Sequence, residues 1–473
     1  MNISAIKKIY YLKINHTILI NNDKLLIMLS SIINKEIFNC HACIGTFSFN
    51  DKEFASEFYL IQYNDGKIDL IIGGFSALLF MERYSVKDDY CSISARLIYE
   101  LATVKIDEAV IANISINSGN GKPTYAILNV YKPVIIESNN DDKELNQDVL
   151  LVYLTNFLNN PTKQGDFEKF NIENEDYIIE FKGIHDYDEC KTLLYEHKED
   201  ILITSMAKIN LKNKDIDIIE EMNRLTYLIS YINRTHISPV CFNFYENGYL
   251  IKSILYPVLT TKFSDNEKLI ETNDIGYFIE KCYPIFLENY QDFSLNIVIS
   301  IYLESLLSNY VDSSYILLVT ALESFLLSHE DQCIKNGEII NPSSINRIKK
   351  DIVKFFDKKD YDIVEEDLEE LSEMLAYNNT TLGEKFSLLK NKDKFKSNLN
   401  LKPEDYDFPT IRNKIIHTGK VPKKINSSKG EREINMAIEY NRTLFLLDKI
   451  ILSLLDYDGV FNDYLYKTQV SLG

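Results

Sequence analysis

The spacing of apolar residues changes once along this chain of 473 residues, near Asp274. Before that position, short β-branched runs alternate with turn residues. Residues 57–63 and 67–72, for example, flank an Asn-Asp-Gly turn, which predicts an antiparallel hairpin. After it, apolar residues recur every three or four positions, which predicts helices. The sequence therefore predicts an α+β protein, with a β-rich antiparallel N-terminal region followed by an all-α helical-bundle domain.

Polar stretches between these patterns divide the chain into four regions. Residues 1–36 form an N-terminal extension and residues 37–137 a β-rich domain. Residues 138–273 form a mixed α+β region that continues the N-terminal module, and residues 274–473 form the all-α domain. Helices are predicted there over residues 275–288, 294–309, 312–329, 343–356, 365–376, 382–389, 409–418 and 431–455. The helix 312–329 is apolar on most sides, so we expect it to be central.

The composition predicts a globular, cytoplasmic protein. With 45% hydrophobic and 26% charged residues, the chain can bury ordinary cores without disulfide bonds. Its seven cysteines, an odd number at scattered spacing, are typical of a reducing compartment. The N-terminal apolar run over residues 25–33 is too short to span a membrane, and no secretory signal is recognisable. Heavy use of Ile, Asn and Lys indicates AT-rich coding and a bacterial source.

The net charge of −19 argues against broad, non-specific binding of nucleic acid, because an acidic surface repels phosphate. A local basic segment exists all the same. Between Arg412 and Arg432 there are seven basic residues and one acidic residue, Glu431. This segment covers a predicted helix and the loop behind it. Its candidate substrate-binding residues are Lys414, Lys420, Lys423 and Lys424.

One predicted helix near the C-terminus brings three polar side chains together. Pro409 is suited to the first turn of a helix, and Gly419 is suited to the left-handed turn after one. Asn413 and His417, four residues apart, share one face, and Arg412 lies about 100° from Asn413 around the axis. The helix therefore presents a guanidinium, an amide and an imidazole group.

These three groups suit the cleavage of RNA through its 2'-hydroxyl group. Such chemistry needs a proton carrier that works near neutral pH, which a histidine supplies. It also needs a cation where charge develops on the phosphoryl oxygens, which an arginine supplies. The simpler interpretation is that the helix dipole stabilises His417 in the last turn and that Arg412 is a solvated charge. Spacing alone favours the simpler interpretation.

Glu323 is an isolated carboxylate in the apolar part of the predicted central helix. A carboxylate at such a position needs a partner when it is buried. That partner is either a backbone group or tyrosine hydroxyl, or else Arg412. The two alternatives are equally compatible with the sequence.

Cys40 and Cys43 have the spacing of a pair of metal ligands. No second pair of cysteines follows at the distance of a zinc site, and the segment runs into a predicted β region. A structural zinc ion is the less favoured alternative, and we expect neither a metal nor another cofactor.

The order of helices in the C-terminal part resembles the HEPN superfamily. The resemblance rests on Ala321-Leu322-Glu323 in a long apolar helix, on Leu382-Gly383-Glu384-Lys385-Phe386, and on Arg412-Asn413-Lys414-Ile415-Ile416-His417 before a final long helix. The last segment is similar to the R-x4-6-H ribonuclease signature of that superfamily. Together with the β-rich N-terminal region, the chain resembles the ApeA-type family of bacterial anti-phage factors.

The resemblance implies a metal-independent endoribonuclease whose site is built across a homodimer of HEPN domains. It also implies cleavage of RNA such as tRNA, which arrests the growth of infected cells (abortive infection), with a phage-encoded trigger. Arg412 would hold the phosphate, His417 would act as general acid or base, Asn413 and Glu323 would support them, and the product would carry a 2',3'-cyclic phosphate. The alternative is a HEPN-type scaffold or sensor that dimerises and binds RNA without cutting it.

Overall fold

The structure divides the chain into two compact units. A computed structural model describes residues 37–49, 52–73, 90–97, 102–115, 125–138, 149–158, 170–184, 187–196, 201–213, 215–258, 263–264, 266–271, 274–336, 381–390, 392, 395, 407–427, 430–463 and 468–471. The predicted extension 1–36 and the predicted helices 343–356 and 365–376 lie outside the described residues. The first unit comprises Met1–Thr226 and Thr235–Asp265, and the second comprises Tyr227–Arg234 and Asn266–Gly473.

The first unit is built on antiparallel strands, as the sequence predicts. The described strands are β1 (Ile37–Phe49), β2 (Lys52–Tyr63), β3 (Ile68–Gly73), β4 (Tyr90–Leu97), β5 (Ala102–Ser115), β6 (Tyr125–Val130), β7 (Val134–Ser138), β8 (Val149–Thr155), β9 (Phe170–Glu173), β10 (Tyr177–Gly183), β11 (Ile203–Leu211), β12 (Pro239–Glu246) and β13 (Tyr249–Leu255). Six of them close into a barrel in the order β4-β1-β2-β3-β6-β5, because β4 also pairs with β5.

Apolar side chains fill the barrel. Alternate residues of a strand point to the same face, and Phe58 and Leu60 of β2 and Leu70 and Ile72 of β3 are all buried in the core of the first unit. The ring of Phe47 packs edge to face against that of Phe58, with centroids 5.1 Å apart. The predicted hairpin around residues 64–66 is confirmed.

The sheet continues beyond the barrel in the order β7-β13-β12-β8-β11-β10-β9. The buried side chain of Gln62 joins the two parts, since its Nε2 donates to the carbonyl oxygen of Val240 on β12 at 2.9 Å. Two short helical segments, α1 (Tyr187–Lys191) and a π-helix (Thr192–Glu196), precede β11. The helix α2 (Ile218–Asn233) is tied to β10 by the Tyr177 hydroxyl, which donates to Glu221 at 2.6 Å.

The second unit is mainly helical. Its described helices are α3 (Ile275–Asn289), α4 (Leu295–Leu307), α5 (Val311–Lys335), α6 (Leu382–Lys390), α7 (Phe408–Thr418) and α8 (Met436–Leu454). The helix α5 contacts α4, α6, α7 and α8, so the predicted central helix is confirmed. Among the described residues, α5 is the helix that is long and apolar enough to cross a membrane. Its contacts with four other helices are those of a core helix.

The prediction that this unit is all-α is wrong in one respect. Two short hairpins occur, β14 (Lys424–Ser427) with β15 (Gly430–Glu433), and β16 (Val460–Asp463) with β17 (Thr468–Ser471). Residues 431–433 belong to β15 and not to the last helix. That helix begins only at Met436, because the side chain of Asn435 accepts the backbone N–H groups of Ala437 and Ile438.

A fully buried ion pair lies at the centre of the second unit. Arg234 follows the end of α2, and its Nη2 lies 2.5 Å from Oδ2 of Asp448 on α8. The Tyr302 hydroxyl on α4 accepts from Nε of Arg234 and donates to Oδ1 of Asp448, both at 2.9 Å. The Tyr231 hydroxyl also donates to Oδ1, at 3.2 Å. Three helices therefore meet at one network of charged and polar groups.

Replacing Asp448 by alanine is expected to lower the free energy of unfolding by about 3–5 kcal/mol, because the guanidinium of Arg234 stays buried without its carboxylate. The matched control is Asp107→Ala, which breaks the exposed Lys105–Asp107 pair of 3.3 Å and should cost less than about 1 kcal/mol. Urea denaturation followed by circular dichroism at 222 nm measures both. Equal losses would contradict the central place of the buried pair.

Gly66→Ala is expected to destabilise the first unit more than Gly248→Ala. Both glycines have positive φ angles, +76° and +80°, so either substitution strains the backbone by about 1 kcal/mol. A Cβ at Gly66 would also lie 2.5 Å from Cγ2 of Val258, whereas none of the surrounding atoms lies within 4 Å of one at Gly248. The overlap should add roughly 1–3 kcal/mol. Thermal denaturation of the two variants checks the difference.

Candidate active site

The helix α7 is attached to the second unit through its first half. Phe408 and Ile411 are buried. The ring of Phe386 on α6 packs edge to face against Phe408, with centroids 5.3 Å apart. The Tyr315 hydroxyl on α5 donates to the carbonyl oxygen of Phe408 at 3.3 Å. These contacts fix the start of the helix at Phe408, one residue before the predicted start at Pro409.

The second half of α7 is exposed. Asn413 and His417 face solvent, and the apolar side chain of Ile416 is 49% exposed. The helix ends at Gly419, which has a φ of +65° and donates its N–H to the carbonyl oxygen of Ile415 at 2.8 Å. The predicted stop signal is therefore confirmed. The exposed half presents an amide, an imidazole and an apolar side chain on one short helix.

Arg412 is held against α5 by Glu323. Its Nη2 lies 3.0 Å from Oε2 of Glu323, and its Nη1 donates to Oδ1 of Asn413 at 3.1 Å. Of the two kinds of partner that the sequence allows for Glu323, the structure places Arg412 there. The two side chains are 27% and 31% exposed, so the pair contributes little stability. Its main effect is to orient the guanidinium.

His417 lies on the same helix but on another side. Among the residues that the structure describes, none makes a hydrogen bond or ion pair with its imidazole. Helix geometry separates Arg412 from His417 by about 7.5 Å along the axis and by about 140° around it. The structure therefore brings Arg412, Asn413 and Glu323 together, and it leaves His417 at the exposed end of the helix.

The four candidate lysines are all exposed, with Lys414 on α7 and the other three in the segment that follows it. Lys414 donates to the carbonyl oxygen of Lys424 at 3.3 Å, which places the start of β14 beside the middle of α7. Lys424 also pairs with Glu431 across the hairpin at 2.9 Å, at an exposed position. The predicted loop behind α7 is thus a hairpin, and its first residues carry positive charge.

Arg432 does not belong to this exposed basic surface. Its Nη2 lies 2.9 Å from Oδ2 of Asp407, and its Nη1 lies 2.5 Å from Oε1 of Glu439. Both carboxylates are buried, at 9% and 4% exposure. The interpretation of Arg432 as part of the basic segment is therefore wrong, because its charge is already neutralised. Acidic residues just before α7 and in the first turn of α8 are the sequence signal for this network.

Cys40 and Cys43 point to opposite faces of β1. Cys43 lies in the core of the barrel, whereas Cys40 packs against a separate cluster with Ile61 and Tyr63. Burial raises the pKa of the Cys40 thiol to about 12, which disfavours the thiolate that zinc binds. The pair therefore does not fit a shared zinc ion. Within the described ranges, no group of three potential ligands has the geometry of a metal site.

Comparison of the chain with protein-family models, curated proteins and solved structures gave no match. Its function is therefore inferred from its own residues.

The two ion pairs of this region are expected to couple with different strength. A double-mutant cycle of Arg432→Gln with Glu439→Gln should give a coupling energy above about 2 kcal/mol, because Glu439 is buried. The same cycle for Arg412→Gln with Glu323→Gln should give less than about 1 kcal/mol, because both side chains are partly solvated. Urea denaturation of the seven proteins measures both values. Equal coupling would show that Arg412 is a structural residue.

Proposed function

We propose that this protein is a cytoplasmic anti-phage endoribonuclease of the HEPN type, which cleaves RNA, tRNA in particular, and so causes abortive infection. The observation that carries the proposal is the placement of Arg412. A guanidinium oriented by Glu323 lies on the same short helix as His417, and four exposed lysines are on that helix or in the segment after it. An oriented cation and a solvent-accessible imidazole are the two groups that 2'-hydroxyl chemistry needs.

The proposed reaction is a transesterification. Neutral His417 takes the proton from the 2'-hydroxyl group, and the 2'-oxygen forms a bond to phosphorus. The bond between phosphorus and the 5'-oxygen breaks, and the leaving oxygen takes a proton from an imidazolium. Arg412 stabilises the charge that develops on the non-bridging oxygens. Acid–base catalysis of this kind contributes about 10²–10⁴-fold in rate. The products are a 2',3'-cyclic phosphate and a 5'-hydroxyl, and no metal or other cofactor is needed.

The separation of Arg412 and His417 supports a site made by two copies of the chain. One copy presents the two groups on different sides of α7, whereas two α7 helices that face each other across a two-fold axis would supply both groups to one phosphate. Ile416 on α7 and Leu327 on α5 are 49% and 44% exposed. These two side chains offer apolar surface for such a homodimer.

The lysines explain how an acidic protein could hold RNA. With a net charge of −19, most of the surface repels phosphate. Positive charge is concentrated on α7 and the segment after it, so the RNA backbone is attracted to this segment. The exposed residues that carry it are Lys414, Lys420, Lys423 and Lys424. In this proposal the barrel and the open sheet of the first unit respond to a phage-encoded trigger.

One observation favours a second candidate function, a non-catalytic HEPN scaffold or sensor. The guanidinium of Arg412 already has two protein partners, Glu323 and Asn413. Among the described residues, none holds the imidazole of His417 in a fixed orientation by a hydrogen bond. A module that only dimerises and binds RNA through its lysines would need neither an Arg412 guanidinium available to a phosphate nor an oriented His417 imidazole.

Incubation of tRNA with the purified protein in excess EDTA separates the two functions. Wild type should produce fragments that end in a 2',3'-cyclic phosphate, and His417→Ala should cut at least about 10²-fold more slowly, because the general base is lost. The matched control is Thr410→Ala, an exposed polar position in the first turn of the same helix, which should cut like wild type.

Circular dichroism and the mass in solution should be the same for all three proteins. Equal cutting by wild type and His417→Ala would contradict the assigned role of His417. No cutting by wild type, even with extract of phage-infected cells, would favour the scaffold.

A further inference from the structure

The hairpin of β14 and β15 is the connection between α7 and α8. Two strands of four residues are marginally stable on their own, so contacts with the helices must fix its position. The side chain of Ile425 is buried at 1% exposure and attaches the hairpin to the unit. Lys414 on α7 also donates to the carbonyl oxygen of Lys424. The ion-paired side chain of Arg432 on β15 is the contact that joins the hairpin to residues at the start of both helices.

The contacts of Arg432 reach both neighbouring helices. Asp407 directly precedes α7, and its Oδ2 lies 3.1 Å from Nε and 2.9 Å from Nη2 of Arg432. Glu439 is in the first turn of α8, and its two oxygens lie 2.5 and 3.0 Å from Nη1 and Nη2. We call these three residues the Arg432 bridge. Glu439 accepts from the planar guanidinium through both of its oxygens, and Asp407 accepts from two of its nitrogens through one oxygen. These contacts fix orientation as well as distance.

In the register of the hairpin, Arg432 lies opposite Ile425, the residue that follows the two lysines. The backbone of Lys424 lies opposite that of Glu433, which directly follows Arg432, and Lys423 precedes Lys424. The N–H of Ile434 donates to the carbonyl oxygen of Lys423 at 2.9 Å, which closes the hairpin at this point. A shift of Arg432 would therefore move the backbone of both lysines relative to α7.

We propose that Arg432 is a positioning residue, which holds Lys423 and Lys424 where they contact the backbone phosphates of single-stranded RNA. The proposal rests on RNA being the ligand of this site. Arg432 itself does not touch RNA, since both of its carboxylate partners are buried beside it. Its contribution passes through the hairpin, so loss of Arg432 and loss of the two lysines have the same effect on RNA binding.

The chain contains a matched control in Arg442. Its Nη1 lies 3.1 and 3.0 Å from the two oxygens of Glu439, so it pairs with the same carboxylate as Arg432 does. It is on α8 itself and makes no described contact with Asp407 or with the hairpin. Arg442→Gln therefore removes the same charge as Arg432→Gln and leaves the hairpin attached to α7.

The test measures binding of a fluorescein-labelled single-stranded RNA by anisotropy, in the full-length protein with His417→Ala to prevent cutting. Arg432→Gln and the double variant Lys423→Gln/Lys424→Gln should each weaken binding roughly fivefold to tenfold. Each should also lower the slope of log Kd against log salt by about 1.4, the value for two phosphate contacts. Arg442→Gln should change the affinity less than about twofold, and combining Arg432→Gln with the two lysine changes should weaken binding no further.

A general loss of stability would not make the effects of Arg432→Gln and of the two lysine changes non-additive, so this result distinguishes a positioning role from destabilisation. Arg432→Lys keeps the charge and one contact, and it should fall between wild type and Arg432→Gln if the glutamine variant proves too unstable to measure. Equal effects of Arg432→Gln and Arg442→Gln, full additivity with the lysine changes, or no binding of RNA by the parent protein would each overturn the proposal. If the pattern holds while wild type cuts no RNA, the catalytic function fails and the positioning role stands.

Discussion

The buried pair of Arg234 and Asp448 is the interaction on which the helical unit depends. Removing two charges from water costs several kcal/mol for each ion, and the cost is offset only when every hydrogen-bonding group finds a partner. Tyr231 and Tyr302 complete the network. Because Asp448 is on α8, the network also fixes the register of the helix that carries Glu439. The start of α7 and the hairpin are placed in turn through the Arg432 bridge.

Three guanidinium groups in this unit differ in their exposure to solvent and in their partners. Arg234 is fully buried and has a purely structural set of partners, whereas Arg432 is partly buried and joins elements that carry candidate binding residues. Arg412 is the most exposed of the three and has a single carboxylate partner. The exchange of a protein carboxylate for a phosphate is easiest at the most solvated of these sites, since both states are then hydrated.

Local signals in the sequence predicted local structure well. Gly419, Pro409 and the hairpin around residues 64–66 follow from backbone preferences of single residues. The sequence also placed Arg412, Asn413 and His417 on one helix. Closure of the barrel through β4 and β5 and the partners of Arg432 could not be read in this way, because they depend on which distant segments meet. The role of Arg234 was missed for the same reason, since its carboxylate lies 214 residues away.

The second unit is made of two separate segments, Tyr227–Arg234 and Asn266–Gly473, which are synthesised at different times. Arg234 leaves the ribosome 214 residues before Asp448, which is about 10–40 s at 5–20 residues per second. During that interval the first unit can complete its strands while the helical unit lacks its central carboxylate. The exposed end of α7 therefore takes its final place only after Asp448 has been synthesised and the buried pair has formed.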